Sequence, residues 1–167
     1  MGTKPVEYVI NPPGCNTRAH LARLVDDELK RISGLSFERI RTEPQRALRD
    51  QVTGETHWLD FNLEPPCKAG NVISAVYKTP MNVGLNFLRA SRDLATYAKV
   101  KGLRDLHLGL FVMTPAGDAM PPAEVERIEN ILGEQSWNRE KQGFVVAAHT
   151  SPAALAQDVW DWASLEN

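Results

Sequence analysis

Residues 11–18, Asn-Pro-Pro-Gly-Cys-Asn-Thr-Arg, join an apolar strand-like run to a helical pattern. Strand, tight loop and helix in that order is how an α/β fold holds a phosphate. Glycine backbone lets N–H groups close on the phosphate oxygens, a lysine neutralises the β/γ charges, and a hydroxyl holds Mg²⁺. Against the spacing G-x-x-x-x-G-K-[S/T], residues 11–18 fit without a gap, yet Asn11 and Asn16 stand where the glycines belong. Thr17 replaces the lysine and Arg18 the Ser/Thr, while Gly14 falls in the variable stretch. Asparagine tolerates left-handed backbone, which preserves the loop's shape, but each contact to Mg-ATP is lost. Two readings remain: a residual anion site built from Asn11, Gly14, Asn16, Thr17 and Arg18, or a β-turn followed by a helix cap.

Other residues offer different chemistry. Asp60 in Leu59-Asp60-Phe61 and Lys78 in Ala75-Val76-Tyr77-Lys78 resemble the metal-binding hairpin of PD-(D/E)XK nucleases. That chemistry needs a second carboxylate two residues before the lysine to share the metal, and position 76 is valine. Glu55 or Glu64 would have to move into the role. His57, His107 and His149 sit on or beside strand-like runs and His20 on a helical one, without paired metal spacing such as H-x-x-x-H. They read as hydrogen-bonded structural groups unless three of them converge on zinc. Cys15 and Cys67 each follow a proline-rich turn and carry no signature of a catalytic thiol.

The elements that must position these groups follow from periodicity. Residues 6–10, 37–41, 56–63, 71–80, 106–115 and 143–149 read as strands, and residues 45–51 as a helical turn. Helices follow Asn16 or Thr17 as a cap, span residues 81–100, open at Pro121-Pro122, and start at Ser151-Pro152. In the long helix Val83, Phe87, Leu88, Leu94, Ala95 and Ala98 are expected to face inward. In the last helix Trp160 falls on the apolar stripe, leaving Trp162 for a partner contact. Apolar strands alternating with amphipathic helices predict a three-layer α/β/α domain. Its sheet would be mostly parallel, with about six strands and helices on both faces, allowing one antiparallel hairpin across the short link between residues 63 and 71.

The 167 residues suit one domain spanning residues 1–167. An apolar fraction of 43% and a charged fraction of 24% are those of a soluble globular chain. The net charge of −2 excludes a global basic field for nucleic acid. No 18-residue apolar run or signal-peptide pattern occurs, so a cytoplasmic protein with no membrane contact is expected. Arg39, Arg41, Arg46 and Arg49 form a local basic cluster, interrupted by Glu43 and Asp50.

Arg41-Thr42-Glu43-Pro44-Gln45 resembles the D-x-D-P-Q-like motif of ParA/MinD-like P-loop ATPases with its first acid lost. Leu59-Asp60 before Pro65-Pro66, and Lys78-Thr79-Pro80 before the long helix, resemble two further strand ends of that family. The resemblance covers most of the chain in layout and few residues in identity. It implies a degenerate Walker A domain that keeps the scaffold with little or no ATP hydrolysis, Glu43 joining residues 11–18 at the nucleotide site. Such a domain would act as a cytosolic protein-interaction or regulatory module. It would need no cofactor beyond a residual nucleotide or anion, would bind a protein partner or a copy of itself, and would touch DNA at most non-specifically. The rearranged PD-(D/E)XK-type nuclease, with Asp60 and Lys78 catalytic, is the alternative.

Overall fold

A computed structural model describes residues 18–33, 46–65, 67–76, 78–103, 107–115, 120–141 and 143–165. Helix α1 (Arg18–Ser33) is followed by a hairpin of β1 (Arg46–Arg49) and β2 (Thr56–Leu59). Then come β3 (Ala69–Ser74), α2 (Pro80–Lys101), β4 (Leu108–Met113), α3 (Pro122–Lys141), β5 (Val145–His149) and α4 (Pro152–Ser164). The strands β3, β4 and β5 lie side by side in that order, all parallel, with Ala69 opposite Leu108 and Gly109 opposite Val145. Crossovers of one hand stepping the same way across a sheet place their helices on one face. Accordingly α2 and α3 pack together on one side of the sheet, and α1 packs with α4 on the other.

Side-chain alternation along the strands feeds the two layers. Leu108, Leu110 and Val112 join Phe87, Leu94, Ile128 and Leu132 under α2 and α3. Phe111 and Met113 point the opposite way and join Leu21, Val25, Leu29, Leu155, Val159 and Trp162 under α1 and α4. Both ends of α2 are capped. The Thr79 hydroxyl accepts from the Asn82 N–H at 3.3 Å, and Gly102 closes the helix at φ 68°. At the start of α4, the Ser151 hydroxyl accepts from the Ala154 N–H at 3.2 Å, ahead of Pro152.

The α/β class and the three layers are as expected, but the sheet is not. Among the described residues it has three parallel strands, with a separate antiparallel pair, where about six strands in one sheet were expected. The expected strands at residues 6–10 and 37–41 lie outside the described residues. Residues 45–51, expected as a helical turn, supply β1 instead. The cause is the turn chemistry at Asp50. Its carboxylate accepts from the Val52 and Thr53 N–H groups at 2.8 and 3.3 Å, and Gly54 adopts φ 75°. These contacts fold β1 back on β2, and the two N–H donors hold the Asp50 carboxyl below its usual pKa. The strand expected over residues 56–63 ends at Leu59, and its far end meets β3 through an isolated antiparallel bridge from Leu63 to Gly70. The buried Asn62 stands in for a strand: its amide donates to the Val72 carbonyl at 2.9 Å and its oxygen accepts from the Val72 N–H at 2.7 Å.

Two inward assignments on α2 also change. Leu88 and Ala95 are exposed, and Ala90, Ser91 and Asp93 are buried instead. On α4 the buried stripe is Leu155, Val159 and Trp162, at spacings of four and three, so Trp162 is core and Trp160 only half-buried. The Trp162 ring lies over two glycines. A Cβ at Gly70 would approach its Cη2 to 2.9 Å, and one at Gly109 would approach its Cε2 to 2.9 Å and Phe111 to 2.6 Å. The buried Lys68 then ties down the helix end, donating from Nζ to the carbonyls of Trp162 at 2.6 Å and Leu165 at 2.7 Å. A cation there also complements the negative end of the α4 dipole.

Trp162→Ala should cost about 3–5 kcal/mol and Gly109→Ala about 1–3 kcal/mol in urea denaturation, the first by a cavity and the second by overpacking. Burial holds the Lys68 pKa below the 10.5 of a free lysine. Between that lowered value and 10.5 the unfolded chain binds a proton the folded chain has lost, so this group makes stability rise with pH. Comparing urea midpoints across the alkaline range, Lys68→Met should remove that part of the slope.

Candidate functional site

The residues 11–17 and Glu43 lie outside the described residues, and Arg18 is described only as the first backbone residue of α1. Asp60 and Lys78, by contrast, are brought together. They line one cleft of about 220 Å³ with Asn71, Ile73, Ser74, Asn86, Arg89 and Ala90. The cleft opens beside Ser74, the last residue of β3, where an open parallel sheet offers its ligand crevice.

Each wall has a local cause. Asp60 follows β2 directly, and its backbone is fixed at both polar atoms. Its N–H donates to the Asp93 carboxylate at 3.1 Å, and its carbonyl accepts from the Asn71 side-chain amide at 2.9 Å. Asp93 and Asn71 are both buried, so these bonds form in a low-dielectric setting where a polar group without a partner is expensive. Asn71 and Ile73 alternate with Val72 along β3, which turns them toward α2. Asn86, Arg89 and Asp93, at helical spacings of three and four, share the side of α2 that faces the hairpin.

The lining provides two cations, two carboxamides, one hydroxyl and one carboxylate over the apolar floor of Ile73 and Ala90. Among the described residues neither Lys78 nor Arg89 forms an ion pair with a carboxylate. The cleft therefore carries a local positive excess although the chain is net negative. This arrangement suits an anion, gripped by Lys78 and Arg89, with the negative Asp60 carboxylate an acceptor for a ligand hydroxyl or amine.

A shared two-acid metal site is not assembled from the described residues. Val76 is buried, Glu64 lines a different, smaller hollow with Leu59, Tyr97 and Lys101, and Glu55 sits in the hairpin turn. No group of three His, Cys, Asp or Glu residues converges among the described residues. The histidines are dispersed. His107 precedes the amino end of β4, whereas His149 ends β5 opposite Met113, the length of a strand away. His149 Nε2 bonds the Asp158 carboxylate of α4 instead. Cys67 is exposed at φ 61° in the turn before β3.

Sequence reasoning singled out Asp60 and Lys78, which line one cleft, and did not single out Asn71, Ser74, Asn86 and Arg89 beside them. For Arg89 a signal existed in its helical spacing with Asn86 and Asp93. No helix among the described residues is long and apolar enough to cross a membrane. No family model matches the chain, and neither its sequence nor its fold finds a match among curated proteins or solved structures.

Proposed function

We propose that this chain is a non-hydrolysing α/β binding module of ParA/MinD-like layout, whose ligand is a small anionic molecule held in the cleft beside β3. The single observation that supports this reading is the placement of two cations, Lys78 and Arg89, around one polar cleft whose lining holds a single carboxylate, Asp60, with neither cation in an ion pair among the described residues. A phosphoryl or carboxylate group would sit between the two cations, and Asn71, Asn86 and Ser74 would orient it. Asp60 would select for a hydroxyl or amine on the same molecule. The regulatory role then follows from linkage, because a ligand bound only to the folded form stabilises it and the surfaces it presents. Residues 11–18 and Glu43 would contribute a scaffold that has lost its lysine and glycines, with little or no ATP turnover.

One observation favours a second reading, the rearranged PD-(D/E)XK-type nuclease: Asp60 and Lys78 do share the cleft. Asp60 would then be the metal-binding acid and Lys78 the group that steadies the attacking water.

Thermal-shift titration separates the two. Inorganic phosphate or a nucleoside phosphate at a hundredfold excess over Kd should add about 2.7 kcal/mol, on the order of 5–10 °C in Tm. Lys78→Ala and Arg89→Ala should each abolish the shift while leaving the unliganded Tm close to wild type, since both side chains reach solvent. No shift with any phosphate, together with Mn²⁺-dependent plasmid cleavage lost in Asp60→Asn, would replace the first reading with the second. Asp93→Ala should weaken ligand binding several-fold by releasing the Asp60 backbone, and Asp93→Asn, which keeps an acceptor oxygen, should restore it.

A further inference from the structure

The outer face of the α2–α3 layer carries apolar side chains that the fold itself does not use. Met81 is 74% exposed, Leu85 53% and Trp137 57%. On α2, Met81, Leu85, Leu88, Arg92, Ala95 and Lys99 recur at alternating spacings of four and three, the pattern of a helix seam that meets another helix. All six are accounted for on the solvent side: Leu88, Arg92, Ala95 and Lys99 are exposed as well. Between the two helices runs a groove lined by Thr79, Pro80, Met81, Arg127, Asn130 and Ile131.

Charge is divided between the helices. Every exposed charged side chain of α2 is basic (Arg89, Arg92, Lys99 and Lys101), and its one acid, Asp93, is buried. The exposed face of α3 carries the acids Glu126, Glu129, Glu134 and Glu140 against the two bases Arg127 and Lys141, and so is net acidic. A surface with a basic half and an acidic half side by side complements itself when turned through a two-fold axis.

We infer that this face is where a second copy of the chain docks, α2 of each copy lying antiparallel on α3 of the other. The relative level of α2 and α3 within one chain fixes which residues such an axis would bring together. Gly84 lies against Ile131, which sets Leu88 level with Gln135 along the seam. A two-fold axis at that level carries Leu85 and Leu88 onto Trp137 of the second copy, with Met81 beside them. Arg92 falls between Glu129 and Glu134 of the second copy, within side-chain reach of Glu134, and Lys99 approaches its Glu126. The Trp137 ring is steadied by its own Lys141, whose Nζ lies 4.1 Å from the ring centroid, so an aromatic anchor is already in place. A lipid surface fits this face less well. The groove is concave, and the acids of α3 border the apolar stripe where anionic headgroups would have to lie.

Sedimentation velocity across the micromolar range tests this, with far-UV circular dichroism to confirm that each variant is folded. The wild-type chain should show a concentration-dependent monomer–dimer equilibrium, and Leu85→Glu should be monomeric with an unchanged helical spectrum. Arg92→Glu and Glu134→Arg should each weaken the dimer about tenfold. Both changes in one chain should recover most of the loss, because the pair is remade with reversed signs. A wild-type chain that stays monomeric would overturn the proposal, and so would a dimer indifferent to Leu85→Glu or a double reversal that fails to recover. Binding of a monomer to anionic vesicles through Leu85 would also overturn it, in favour of a lipid surface.

Discussion

The last helix is held to the sheet by one tightly specified contact. Trp162 can lie flat on β3 and β4 only because positions 70 and 109 have no side chain, and Lys68 grips the carbonyls at the end of the same helix turn. The arrangement leaves a cost, since the indole N–H is buried without a partner among the described residues. The area of a buried indole and the two charge-assisted bonds outweigh it. Because α1 packs on α4, this contact orders the whole layer on that side of the sheet.

The opposite layer depends on polar contacts at its margin. Asp93 and Asn71 fix the backbone of Asp60 from two elements, α2 and β3, that are themselves set by the parallel pairing of β3 with β4. The cleft is thus placed by the sheet, while the hairpin contributes only one carboxylate to it. A site whose walls come from rigid elements needs little reorganisation to bind, which favours recognition over gating.

The parallel strands and the helices that cover them were legible in the sequence because their signals are local and strong. Thr79-Pro80, Ser151-Pro152 and Gly102 mark helix ends by chemistry that tertiary structure did not override. What failed was non-local. The hairpin of β1 and β2 rests on an aspartate turn between two short strands, only one of which had a convincing strand pattern. Trp162 was misassigned because Val159 and Trp160 compete for the same stripe, and only the glycines of two distant strands decide between them. The polar cleft draws on residues 60 to 90, and its amides carry no spacing signature that a single sequence would reveal.

Asn62 has a consequence for what the sheet can become. Its carboxamide occupies both hydrogen-bonding atoms of Val72, and Leu63 occupies those of Gly70. The flank of β3 is therefore plugged at two successive outward-facing residues, one of them by a side chain that cannot propagate a ladder. An incoming peptide strand, whether from aggregation or from a recruited ligand, would find no template there. A single carboxamide thus acts as a terminator for sheet growth.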